Sequence, residues 1–152
     1  MASLPNLLVI GAQKCGTTSL HGYLSLHPQV SMAKRKELDF FVRPEDSIVA
    51  IGNWHRGLDW YRAQFQGSSP VLGEASPNYT GFPHFRGVPE RAARVLPEAK
   101  LICMVRDPIE RIVSHYMHRR AAGVETRPLE QTLGDIETEA GAIFVYRSMY
   151  FM

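Results

Sequence analysis

The sequence predicts an α/β protein, a parallel sheet flanked by helices. Short continuous apolar runs, Leu7-Leu8-Val9-Ile10 and Leu101-Ile102-Cys103-Met104-Val105, have the length and composition of strands buried on both faces. Each run leads within a few residues into a stretch with helical periodicity. Strand-like and helix-like segments then alternate along the chain, a pattern that needs crossover connections rather than hairpins.

The elements follow in order. Leu7 to Ile10 is the first strand and ends in a glycine loop. The helix after it carries Leu20, Tyr23, Leu24 and His27 at i, i+3, i+4, i+7, and Pro28 stops it. Val30 to Ala33 is a second short strand running into K-R-K-E-L-D-F-F. Residues 43–57, rich in Pro, Gly, Asn and Asp, are loop. Leu58 to Phe65 is a short helix, with Trp60, Tyr61 and Phe65 in the core or at its rim. Gly67 to Pro70 is a turn, Val71 to Ser76 a strand ended by Pro77, and Pro89 to Leu96 a helix with Pro89 in its first turn. Lys100 to Val105 is the clearest strand, and Cys103 inside it is expected to be buried. In the next helix Asp107 is a natural N-cap, with Pro108 at N1 and Glu110 at N3. Its apolar stripe is Ile109, Ile112, Val113 and Tyr116. Residues 128–138 predict another helix and Gly141 begins one more. The chain stops in mid-pattern at Tyr150-Phe151-Met152, so residues 1–152 are expected to be the N-terminal part of one domain, an incomplete one.

Composition narrows the function. With 152 residues, 45% hydrophobic, 21% charged and a net charge of +2, the chain reads as a soluble globular domain. The charge is too mild for a nucleic-acid binder, and no basic run is interleaved with aromatics. Lys34-Arg35-Lys36 reads equally as a solvated turn. Cys15 and Cys103 are too few for a disulfide framework or a zinc site. No signal peptide and no membrane-length apolar stretch is visible, so the expected location is cytoplasmic. Nothing sets an oligomeric state.

The glycine loop carries the chemistry. In G-A-Q-K-C-G-T-T, Gly11 and Gly16 have the spacing of the nucleotide-binding G-x-x-x-x-G-K-[ST] loop, and Thr18 fills its hydroxyl position. Thr17 stands where the lysine belongs, and the loop's lysine, Lys14, comes earlier. Backbone N–H groups of residues 12–18 and the following helix N-terminus make an anion cradle, to which Lys14 adds charge and Thr17 and Thr18 add hydroxyls. A triphosphatase also needs a metal-holding carboxylate at a second strand end. The strand before Arg106-Asp107 delivers arginine there, and Asp107 is committed to capping. A cation at that position calls for a second anionic group on the ligand, with Ser114 two turns on as its partner. Arg111, Ser114 and His118 share one helical face.

Taken together these residues resemble a known family. G-A-Q-K-C-G-T-T is similar to the 5′-phosphosulfate loop of the sulfotransferases, and R-D-P-I-E-R-I-V-S-H-Y to their 3′-phosphate motif. L-S-L-H-P-Q-V, K-E-L-D-F-F and G-E-A-S-P-N-Y resemble the heparan-sulfate type and its bacterial relatives. The resemblance runs from about residue 6 to 151. It implies a P-loop-NTPase-like sulfotransferase fold, here incomplete, because the family domain ordinarily continues well past residue 152. It implies 3′-phosphoadenosine 5′-phosphosulfate (PAPS) as donor, with no metal.

By the same resemblance, Gly11, Ala12, Gln13, Lys14, Cys15, Gly16, Thr17 and Thr18 form the 5′ site, and Arg106 with Ser114 the 3′ site. Lys14 stabilises the leaving phosphate. Glu37 is the general base that accepts the acceptor's proton, and Asp39 stands where relatives often have histidine. Glu74, Ser76 and Tyr79 are expected to touch the acceptor, a small molecule, glycan or lipid bearing a hydroxyl or amine. Relatives commonly have lysine where Ala75 stands. His21 and His27, on the helix after the loop, are set aside as bases. The alternatives are a P-loop kinase or triphosphatase, and a truncated domain that binds nucleotide without catalysis.

Overall fold

The structure, a computed structural model, describes residues 3–47, 50–134 and 137–148. Four parallel strands, β1 (Leu7–Gly11), β2 (Val30–Met32), β3 (Val71–Ala75) and β4 (Lys100–Cys103), form a sheet in the order β2-β3-β1-β4. Leu7 pairs with Gly73 on one side and Lys100 on the other. Helix α1 (Thr17–Ser25) crosses from β1 to β2; α2 (Gly57–Arg62) lies between β2 and β3; α3 (Val88–Val95) crosses from β3 to β4. After β4 come α4 (Pro108–Ala121), α5 (Leu129–Gly134) and α6 (Glu139–Tyr146). No helix among the described residues is long and apolar enough to cross a membrane.

Because all strands run the same way, their C-terminal ends share one edge of the sheet. Open parallel sheets bind ligands at that edge. Here it gathers the glycine loop after β1, the K-R-K-E-L segment after β2, the S-P-N-Y turn after β3 and the R-D-P corner after β4. The alternation of strand and helix expected from the sequence is present, and the capped start of α4 forms as expected: Asp107 Oδ1 accepts from the Glu110 N–H at 3.0 Å.

The core lies around Leu8, Leu38, Phe40, Phe41, Val42, Tyr61, Leu72 and Phe85. Phe40 stacks on Tyr61 with ring centroids 4.0 Å apart. Full burial of each such side chain is worth roughly 1.5–3 kcal/mol. Three consecutive buried residues, Phe40 to Val42, carry no strand pairing. Side chains hold that segment instead, which matters below.

Three expectations about burial are corrected. β4 has the strongest strand pattern, yet among the described residues it is the sheet edge, paired with β1 alone; Leu101 is 60% exposed and Cys103 is exposed. In α4, Ile109 and Val113 of the expected apolar stripe face solvent, while Arg111, His115 and Tyr116 are buried. The cause is α6, which packs on that side: Arg111 donates to the Ser148 hydroxyl at 2.5 Å and to the Phe144 carbonyl. Of the stripe expected along α1, Tyr23 is exposed, and so is His27, which lies past the helix end at Ser25. The helix forms, but no described element covers that face.

Candidate functional site

The glycine loop is built by close approach. A Cβ on Gly11 would sit 2.2 Å from Thr80 Oγ1, so only glycine fits under the turn after β3. The loop is tied to the end of β4: the Ala12 N–H donates to the Met104 carbonyl at 2.7 Å, and the Met104 N–H to the Gly11 carbonyl at 2.8 Å. Gly16, the residue before α1, has φ 87°, a left-handed conformation that turns the chain into the helix. No side chain caps α1, and no acidic residue lies in its first turn. The first N–H groups of a helix lack intrahelical partners and carry partial positive charge, so this end is open to an anion.

A cavity of about 360 Å³ lies over the loop. Gln13, Lys14, Gly16, Thr17 and Thr18 line it from the loop, Lys36 and Glu37 from the segment after β2, and Arg106, Ser114 and His118 from the R-D-P corner and α4. Lys14 and Glu37 both have left-handed backbones, φ 69° and 61°. Non-glycine residues pay about 1–3 kcal/mol for such conformations, which persist only where the surroundings impose them. The Glu37 N–H is fixed to the Ala75 carbonyl at 2.9 Å. Its carboxylate pairs with Lys36 Nζ at 2.7 Å, and Arg106 Nε pairs with Glu110 Oε2 at 3.0 Å. Exposed pairs of this kind are worth about 0–1 kcal/mol, so both Glu37 and Arg106 can turn to a ligand at small cost.

The loop residues Gly11, Ala12 and Cys15 are buried behind the cavity and shape it without lining it. Glu74, Ser76 and Tyr79, expected to touch an acceptor, are all buried. Glu74 accepts from Tyr61 at 2.5 Å and Tyr79 at 2.8 Å on one oxygen, and from Ser76 at 2.7 Å on the other. Ser76 Oγ in turn accepts from the Asp39 N–H at 3.1 Å, and Tyr79 OH from the Phe40 N–H at 3.0 Å. A carboxylate sheathed in hydroxyls thus anchors the segment that carries Glu37. Burial pushes Glu74 up to about 7 against the pull of its three hydroxyl bonds. Burial likewise pushes the Tyr61 and Tyr79 hydroxyls well up, with the Glu74 charge adding to it.

His21 bonds the Ala33 carbonyl at 3.1 Å, and His27 accepts from the Gln29 N–H at 3.2 Å, so both serve the α1–β2 connection. Residues the sequence reading did not assign also matter. Lys36 and His118 line the cavity; Asp39, Asn78 and Arg147 lie behind it. The i, i+3, i+7 face of α4 was a signal for His118. Arg147 left none, since it meets the loop only through the fold.

The donor set suits an anion with two separated charged ends. The cavity is lined both by an uncapped helix start with Lys14, Thr17 and Thr18 and by Arg106 with Ser114 and His118. Among the described residues its lining holds one carboxylate, Glu37, which is half exposed and paired with Lys36.

A family model, the sulfotransferase domain, matches residues 4–147. The human bifunctional heparan sulfate N-deacetylase/N-sulfotransferase 2 is 39% identical over 129 residues, 79% of this chain and 13% of that protein. The Caenorhabditis elegans N-deacetylase/N-sulfotransferase 1 is 35% identical over 135 residues, 89% of this chain and 15% of that protein. The chain therefore spans only a small part of these relatives' length. The crystal structure of a sulfotransferase from Alicyclobacillus acidocaldarius superposes with a TM-score of 0.76 at 32% identity, over 96% of this chain and 64% of that one. On fold, motif order and sequence alike, the chain belongs to the sulfotransferase domain family.

Proposed function

We propose that the chain is the donor-binding and base-bearing part of a PAPS-dependent sulfotransferase. One observation carries this: Lys14, Glu37, Arg106 and Ser114, from three separate stretches of sequence, line a single cavity. When bound, the donor supplies a sulfuryl group whose transfer to a hydroxyl or amine releases 3′-phosphoadenosine 5′-phosphate. Lys14 and the N–H groups at the start of α1 offset the charge growing on the leaving phosphate, a preorganised electrostatic role. Arg106 and Ser114 hold the 3′-phosphate. Glu37 takes the proton from the acceptor as its oxygen or nitrogen bonds to sulfur. The named activity of the heparan sulfate relatives puts a glycan first among acceptors.

The test is calorimetry with 3′-phosphoadenosine 5′-phosphate. Charge-assisted hydrogen bonds are worth about 1.5–3 kcal/mol, so Lys14→Ala and Arg106→Ala should each weaken binding about 10- to 100-fold. Unaltered affinity in both variants removes the site assignment. Tight Mg²⁺-dependent ATP binding with indifference to the adenosine bisphosphate favours the kinase-like alternative.

A further inference from the structure

We propose that Arg147 is a positioning residue that holds the donor loop through Gln13, braced from behind on Asn78 and Asp39. The proposal rests on the donor reading above. Arg147, the residue that ends α6, donates from Nη1 to Gln13 Oε1 and to Asn78 Oδ1, the latter at 3.2 Å. Asn78 Nδ2 donates to Asp39 Oδ2 at 3.0 Å. Gln13 precedes Lys14 in the loop, and Asp39 follows Glu37 by two residues. One guanidinium therefore ties the segment bearing the anion-binding lysine to the segment bearing the base. Its carbon lies 5.3 Å from the Phe85 ring centroid, which limits how the group can tilt.

The energetics favour a positioning role over a stabilising one. Arg147 and Asp39 are both buried and attract each other, yet among the described residues they are bridged by the Asn78 amide rather than by a direct ion pair. Arg147 Nε and Asp39 Oδ1 find no hydrogen-bond partner among the described residues. Burial pulls the guanidinium down to about 10, with the Arg111 charge adding to it, and pushes the Asp39 carboxyl up. Buried charges paired this indirectly cost stability, and an apolar cluster of the same volume would serve the fold better. What the arrangement supplies is direction. The Asn78 amide can satisfy both neighbours in one orientation only, carbonyl toward the arginine and N–H toward the carboxylate. The left-handed backbones at Lys14, Glu37 and Asp39 need such restraint; one bond reaches Gln13, next to Lys14, and the other reaches Asp39 itself, two residues beyond Glu37.

The experiment is a set of double-mutant cycles on the full chain, read by calorimetry with 3′-phosphoadenosine 5′-phosphate. Gln13→Ala, Asn78→Ala and Arg147→Met should each weaken binding about tenfold, although Asn78 and Arg147 do not line the cavity. Combining either of the first two with Arg147→Met should cost no more than about threefold beyond the worse single variant, because the bonds act as one unit. Arg147→Lys keeps the charge but not the forked geometry and should not restore affinity; it replaces Arg147→Met in the cycles if that variant does not fold. Additive losses, or full rescue by lysine, overturn the proposal while the donor reading stands. Failure of the unaltered chain to bind the bisphosphate overturns both.

Discussion

Replacing Glu74 with glutamine isolates a buried carboxyl that anchors the segment carrying Glu37. Glu74 is fully buried and titrates at about 7 rather than at the ordinary 4.5. Between these values the folded protein binds a proton that the unfolded chain has already released. Stability attributable to Glu74 is therefore complete below pH 4.5 and falls as pH rises toward and through 7. At about 1.4 kcal/mol per pH unit, the gap is worth about 3 kcal/mol. Glutamine cannot titrate. It can still accept from Tyr61 and Tyr79, but it loses the bond that Ser76 gives the second oxygen, a cost of about 1 kcal/mol. Wild type should thus be slightly the more stable at pH 4 and the variant the more stable, by about 2 kcal/mol, at pH 8. Urea unfolding followed by tryptophan fluorescence reads this directly, because Trp54 and Trp60 pack near Phe40. The difference between the two proteins is plotted against pH, which removes titrations common to both. A difference flat to within about 0.5 kcal/mol from pH 4 to 8, or one of opposite slope, refutes the reasoning: the three hydroxyl bonds would then outweigh burial.

Further outcomes follow from the same structure. Glu37→Gln should leave bisphosphate affinity within about twofold while lowering sulfuryl turnover by roughly 10²–10⁴; wild-type turnover moves the base elsewhere. His115 is buried beside Phe144, and burial together with the Arg111 charge lowers it to about 2. Its contribution to stability is present above pH 6.5 and is lost as pH falls from there toward 2. His115→Leu should therefore shift the acid-unfolding midpoint, read by circular dichroism, to lower pH; an unmoved midpoint contradicts this. Gly11→Ala drives a Cβ to 2.2 Å from Thr80 Oγ1 and 3.1 Å from Thr80 Cβ, so rotating the side chain does not clear it. A cost of about 1–3 kcal/mol in unfolding, with weakened bisphosphate binding, is expected, and an alanine variant equal to wild type in both would show that the turn yields freely.

The glycine loop, the strand before it and the helix after it were legible because each signal is local: an apolar run, spaced glycines, then helical periodicity. The Asp107 cap is local in the same sense, an acceptor and a donor on neighbouring turns. Burial was not legible. The pattern of β4 is the same whether a strand is covered or at the edge, and only its pairing with β1 alone leaves Leu101 and Cys103 exposed. In α4 two faces competed, and the packing of α6 selected the one carrying Arg111 and His115. The burial of Glu74 and Tyr79 was hidden for a related reason. A carboxylate and a tyrosine near a strand end suit a ligand or a buried bond equally well, and Tyr61, supplied by α2, settles the matter.

The sequence by itself determined that strands alternate with helices, which makes the strands parallel, and that a glycine loop carrying Lys14 opens one helix. Both follow from interactions a few residues long. Tertiary structure decided that the basic loop, Glu37 and the R-D-P corner face one cavity, and that Arg147 reaches Gln13 from far along the chain. Such meetings depend on strand order and on which faces pack, and those are set by the total area buried and by hydrogen bonds between distant segments.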